Sequence, residues 1–227
     1  MREVVFDTET TGLDPLNGHR VVEIGCVELM NHMPTGNTFH AYLNPERSMP
    51  TEAAMVHGLT DEFLADKPLF SQVVDDFLSF IGDAPLIAHN ANFDMNFINA
   101  ELVRCGFTAL AKTRAIDTAQ MARKMFPGAP ASLDALCKRF NISLAERSLH
   151  GALLDSRLLA EVYLELRGGR QPDLAMNDKA VAVTEEMVIL TSDRIFRAPR
   201  PHAASEEELL AHEAFLTQIK DPLWKRG

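Results

Sequence analysis

PLIAHNANFDMNFINAELVRC, residues 85–105, decides the fold class. Pro85–His89 is a short apolar run of strand length, and the chain passes from it into a helix through Phe93–Cys105. A buried strand feeding directly into a helix is the repeating step of an α/β protein. Toward the N-terminus lie three more strand-like segments: Glu3–Asp7 (EVVFD), Val21–Met30 (VVEIGCVELM) and Thr38–Leu43. MNHMPTGN, between the last two, supplies turn residues, so they pair as a hairpin. Thr51 reads as the N-cap of a short helix ending near Gly58, and Thr60 as another N-cap. Apolar residues at Phe70, Val73, Val74, Phe77, Leu78 and Ile81 fall on one helical stripe. Toward the C-terminus come a short strand at Ala115–Asp117, helices near Thr118–Phe126 and Ser132–Phe140, and a long helix over Gly151–Arg167 closed by Gly168-Gly169. Strands first, then strand–helix alternation, predict an α/β domain over residues 1–170, with a mixed sheet and helices on both faces.

Past Gly169 the texture changes. Residues 171–204 are rich in Gln, Pro, Asp, Asn and Arg around one apolar island, Met187–Leu190, and read as a linker. Ser205–Lys220 then reads as an amphipathic helix with an N-cap, an acidic first turn and an apolar face of Leu209, Leu210, Phe215, Leu216 and Ile219. A lone helix of that length is marginal in water, so the face requires a surface to cover it.

The chain has 227 residues, enough for one domain with something left over. No stretch approaches the ~20 apolar residues of a membrane helix, and MREVVFDTET lacks the shape of a signal peptide. Cys26, Cys105 and Cys137 are scattered and odd in number, which argues against a disulfide framework or a thiolate zinc site and predicts a reducing cytoplasm. The net charge is −10, and neither the first 170 residues nor the remainder is basic. A protein with no basic footprint holds duplex nucleic acid weakly by itself, which points to delivery of any such substrate by a partner. Carboxylates that bind divalent cations would account for part of the excess, because the ions cancel charge where a phosphate sits.

Three short motifs carry chemistry. In DTETTG, residues 7–12, Asp7 and Glu9 are two apart at the end of a strand, so both carboxylates share one face and Thr8 takes the other. HNANFD, residues 89–94, places Asp94 at a helix start, where the macrodipole favours an anion whatever its role, and Asn90 and Asn92 are good turn formers. HGALLD, residues 150–155, opens the last helix with His150 and Asp155. Five residues apart they do not share a helix face, but with His150 ahead of the helix and Gly151 granting backbone freedom both reach one site. Asp155 also precedes Leu158, Leu159 and Val162, an apolar setting that is unusual for an unpaired acid. Singly, each motif has an ordinary structural explanation. Together they supply four carboxylates and a histidine at element ends. Hard oxygen ligands select Mg²⁺ or Mn²⁺, and two such ions ~4 Å apart clamp both oxygens of an in-line phosphoryl displacement. A histidine, titrating near ~6.5 in its ordinary state, suits the base that activates water.

In that order, DTETTG, HNANFD and HGALLD resemble the DEDD-type 3′→5′ exonucleases of the ribonuclease-H-like fold, in the subgroup whose last motif carries His. VVEIGCVEL, the VHG of AMVHGLTDEFLADKP, ARKMFPG, SLDALC and LHGALLD with LAEVYL extend the likeness to the proofreading subunits of bacterial replicative polymerases over roughly residues 1–170. The resemblance implies that Asp7, Glu9, Asp94 and Asp155 hold two metal ions, with Asp7 bridging, and that His150 is the general base. It further implies that Asp7, Glu9, Thr10, Leu13, Val56, His57, Asn90, Phe93 and Asp155 contact the terminal nucleotide of a single-stranded or frayed 3′ DNA end. Phe93 suits a sequence-neutral stacking surface but reads equally well as a core aromatic, and His89 beside it reads as structural. AHEA with LW near the C-terminus resembles a tail, residues 205–227, that binds the polymerase (alpha) subunit. QPDLAM, residues 171–176, resembles a sliding-clamp-binding peptide anchored by Gln171, Leu174 and Met176, with Met where the pattern usually has Phe. A small accessory subunit is a further implied partner. Two other functions fit the residues: an RNA-trimming exonuclease of the same fold, and a mainly structural polymerase subunit.

Overall fold

The computed structural model describes residues 1–145, 149–169 and 203–219. The chain divides into two units, Met1–Leu174 and Ala175–Gly227. In the first, five strands form one sheet in the order β3-β2-β1-β4-β5. They are β1 (Arg2–Thr10), β2 (Val21–Met30), β3 (Met33–Tyr42), β4 (Leu86–Ala88) and β5 (Ala115–Asp117). β1 pairs antiparallel with β2 and parallel with β4, β2 pairs antiparallel with β3, and β4 pairs parallel with β5. The expected mixed sheet is present, in a ribonuclease-H-like arrangement. Its hairpin turns at Asn31 and His32, both with positive φ. β3 begins at Met33 and not at Thr38, and most of its residues are exposed. An edge strand covered on neither face shows no hydrophobic alternation, so its first half carries no periodic signal.

β1 is central and nearly all of it is buried. Val4 and Phe6 point into one core, which is completed by α3 (Phe70–Ile81) and α4 (Asn92–Arg104). Val5 points into the other, which is built from α5 (Thr118–Met125), α6 (Leu133–Arg139) and α7 (Ala152–Leu166). On α3 the predicted stripe is realised: Phe70, Val74, Phe77 and Ile81 are buried. Each such side chain contributes roughly 1.5–3 kcal/mol by leaving water, so this face alone anchors the helix. The short helices α1 (Thr51–His57) and α2 (Asp61–Leu64) follow β3. Thr60 caps α2 through its side chain, as expected, but α1 is preceded by Pro50 at its N-cap, so Thr51 is the first helical residue and not the cap.

Of the second unit, α8 (Glu206–Leu216) opens on a capping box: Ser205 Oγ accepts from Glu208 N and Glu208 Oε2 accepts from Ser205 N. Leu209, Leu210 and Phe215 are exposed along it. Most of the linker, the 171–176 peptide and the Leu223-Trp224 end lie outside the described residues. Among the described residues, no helix is long and apolar enough to cross a membrane.

Candidate active site

The antiparallel register of β1 leaves Asp7 and Glu9 on the side of Val5, facing α7, and Thr8 on the side of Phe6, facing α4. β1 and β4 run parallel, so both deliver their C-terminal ends to one edge of the sheet, where ligands of α/β proteins bind. Asp7, Glu9, Asp94, His150 and Asp155 all line a single cleft there, of about 560 Å³. Sequence reasoning places these five together, and the fold brings them together.

Asp94 lies in the first turn of α4, where its Oδ1 accepts from Thr8 N at 3.0 Å and from Thr8 Oγ1 at 2.7 Å. Thr8 is thus the residue that fixes Asp94 beside β1. The strand alternation assigns Thr8 to the opposite face from the acids but does not reveal this partner. Burial pushes the Asp94 carboxyl up to about 7, against the two Thr8 hydrogen bonds, which favour the ion. Asp7 is raised well above the ordinary carboxylate range, first by loss of water and then by the negative charges of Asp94, Glu9 and Asp155. Carboxylates crowded in this way are costly unless a cation joins them.

Asp155 is buried in the first turn of α7. His150 precedes the helix, and its Nδ1 lies 3.1 Å from Asp155 Oδ2. The five-residue offset is therefore bridged, but without the glycine's special freedom: Gly151 has φ −159°, ordinary extended backbone. Two contacts hold the His150 end of the loop on α1. His150 N donates to Val56 O at 3.2 Å, and Leu149 seats against Gly58, whose φ is +75°. Glu9, His150 and Asp155 offer ligand atoms that all lie within 4.8 Å of one another. Among the described residues Asp7 and Asp94 line the same cleft but do not join that close set, so the closest-packed donors include the histidine and not only the four acids. The donor set is hard oxygen plus one imidazole, which fits a divalent cation such as Mg²⁺ or Mn²⁺.

A second cavity of about 500 Å³ meets the cleft at Thr8, Glu9 and Phe93. Thr10, Leu13, Val56 and His57 line it, while Asn90 lines the cleft with the acids. Phe93 sits between the core and the site. Its ring packs on Phe97 with centroids 4.9 Å apart, at the edge of the core, and it still borders both cavities. His57 is buried; its Nδ1 accepts from Leu59 N at 3.1 Å, so Nε2 carries the proton, and that atom has no hydrogen-bond partner among the described residues. Burial lowers its pKa, keeping the ring neutral. His89 pairs with Thr118 Oγ1 at 2.9 Å, in keeping with a structural part. Glu52 and His19 also border the second cavity, and Arg123, from the ARKMFPG segment, borders the first; none of the three is assigned to the site from sequence.

The exonuclease (RNase T) family model matches residues 4–163. The DNA polymerase III subunit epsilon of Rickettsia felis is 50% identical over 222 residues, covering 96% of this chain and 97% of that protein. Its counterpart from Salmonella typhimurium is 45% identical, covering 96% and 93%, and that from Escherichia coli 43% identical, again covering 96% and 93%. Among solved structures, Exonuclease X in complex with 5′ overhanging duplex DNA matches with a TM-score of 0.56 at 25% identity, covering 73% of this chain and 90% of that one. E. coli Exonuclease I in complex with a dT13 oligonucleotide matches with a TM-score of 0.65 at 15% identity, over 73% of this chain and 41% of that one, a likeness of fold.

Proposed function

The chain belongs to the exonuclease family, in the branch of the DNA polymerase III epsilon subunits, and from that premise we infer that it is the 3′→5′ proofreading exonuclease of a bacterial replicative polymerase. The observation that carries the reading is the convergence of Asp7, Glu9, Asp94, Asp155 and His150 on one cleft beside a cavity of nucleoside size. Asp7, Glu9, Asp94 and Asp155 would hold two ions, Mg²⁺ or Mn²⁺, which when bound supply charge neutralisation and polarisation at the attacking and leaving oxygens.

The chain's own residues do the rest. His150 donates Nδ1–H to Asp155, which leaves Nε2 with the lone pair that takes the proton of the attacking water. His57 Nε2–H, buried at the wall of the second cavity, donates to the terminal nucleotide, while Thr10, Leu13, Val56, Asn90 and Phe93 enclose its sugar and base without reading base identity. Discrimination comes from the substrate: a mispaired 3′ end unpairs at lower cost and reaches a single-strand site more often. The product is a 5′-mononucleotide. The C-terminal tail binds the alpha polymerase subunit, with the sliding clamp and a small accessory subunit as further partners, and the protein works in the cytoplasm.

The test is shortening of a 5′-labelled, 3′-mispaired primer–template in Mg²⁺. A ladder descending from the 3′ end, faster than for the matched primer and absent with EDTA or in Asp7→Ala, is the expected result. Folded protein that leaves the primer intact in both Mg²⁺ and Mn²⁺ would favour a purely structural subunit.

A further inference from the structure

The two cavities have different chemical characters, and the difference orients the substrate. The α1-side cavity, with Thr10, Leu13, Val56 and His57, suits one nucleoside. It meets the carboxylate cleft at Thr8, Glu9 and Phe93. With the terminal nucleoside seated there, the scissile phosphate falls among the carboxylates, and the remaining strand leaves through the other end of the cleft. That end is walled by α5 and α6, where Arg123, Ser132 and Asp134 line it.

The departing strand carries a negative charge at each linkage, yet five acids line the cleft. Cations at the four clustered carboxylates answer the charge of the scissile group alone. Among the described residues lining this cleft, the single Lys or Arg is Arg123, in the last turn of α5. Its side chain is exposed and makes no hydrogen bond or ion pair with the described residues. A guanidinium presents planar paired donors that match two phosphate oxygens.

We propose that Arg123 holds the internucleotide phosphate one step upstream of the scissile bond and so directs the strand out across α5 and α6. The inference rests on the exonuclease reading above and assigns the next phosphate subsite of that site. Arg123 contacts substrate and takes no part in bond breaking; it makes a substrate of three or more linked nucleotides bind better than a dinucleotide.

The full chain is compared as wild type, Arg123→Gln and Arg123→Lys on single-stranded oligonucleotides labelled at the 5′ end. In one set, the linkage immediately upstream of the terminal linkage is a neutral methylphosphonate; in the other it is an ordinary phosphate. The neutral linkage is expected to lower kcat/KM of the wild type about tenfold, the size of one charge-assisted contact. Arg123→Gln should show a similar loss on the ordinary strand and no further loss on the neutral one, and Arg123→Lys should recover part of it. The slope of log kcat/KM against log salt should also become shallower by about 0.7 in Arg123→Gln. A wild type indifferent to the neutral linkage, or an Arg123→Gln variant as sensitive to it as the wild type, overturns the assignment. Wild type that shortens neither strand overturns it too, and identifies the exonuclease reading itself as the failure.

Discussion

Asp94 shows what the site costs the fold. Burial pushes its carboxyl up to about 7, and the hydrogen bonds from Thr8 N and Oγ1 only partly offset that. In the unfolded chain the same group titrates near its ordinary 3.8. Between those values the folded protein retains a proton that the unfolded chain has released, so stability falls as pH rises from about 4 to about 7. In EDTA, the melting temperature of the wild type should therefore drop across this window more steeply than that of Asp94→Asn, by about 3 °C or more. The Asn side chain still accepts from Thr8 but has no charge to desolvate. Calorimetry at closely spaced pH values checks this, and identical slopes for the two proteins would mean that Asp94 does not carry the strain. Saturating Mg²⁺ should flatten the wild-type slope, since a bound cation favours the ionised form in the folded state.

At the scale of elements, the site depends on how closely α7 approaches the sheet. A methyl group at Gly25 on β2 would lie 2.2 Å from Leu153 N and 2.3 Å from Ala152 C, backbone atoms of the first turn of α7. Ser156 Oγ donates to Gly25 O at 2.8 Å and locks that approach. Gly25→Ala should push the start of α7 outward, costing about 1–3 kcal/mol of stability, as overpacking does. Because Asp155 rides on that turn and His150 leads into it, kcat should fall at least about tenfold, as a displaced catalytic group implies. Chemical denaturation and kinetics on one preparation test both, and an unchanged kcat would show that α7 adjusts without moving the site. VVEIGCVEL reads as a strand, but only the packing of a helix whose Ser156 lies 131 residues downstream explains why a glycine interrupts it. The same limit explains what else the sequence revealed or hid. The α3 stripe, the acid pair on β1 and the capping residues of α2 and α8 are local patterns, and they were legible. The bond from Thr8 to Asp94 spans 86 residues, the start of β3 is an uncovered edge, and Arg123 belongs to the cleft only because the fold brings the end of α5 to the same cleft as β1 and the start of α4. No window of sequence contains those facts.

Taken as a whole molecule, the chain separates chemistry from delivery. Every described residue that lines the candidate site belongs to the unit Met1–Leu174. The protein carries a net charge of −10, and among the described residues its cleft has one guanidinium, so its own hold on DNA should be weak. A proofreading site of this kind gains its substrate by being held close to the 3′ end, where an effective concentration replaces affinity. Among the described residues of the second unit, the exposed apolar side chains Leu209, Leu210 and Phe215 on α8 would suit the polymerase contact proposed above. Residues 1–174 alone should therefore fold, and should shorten a free single strand with kcat/KM within about twofold of the full chain, because linkage does not alter the chemistry of a separate unit. Removal of a mispaired end held by the polymerase alpha subunit should instead slow by about 10²-fold, the gain that tethering typically supplies. Co-elution with that subunit should disappear with the tail. A fragment that is folded but inactive on free DNA would mean that the second unit completes the site, and a fragment that still co-elutes would place the polymerase contact on the nuclease unit itself.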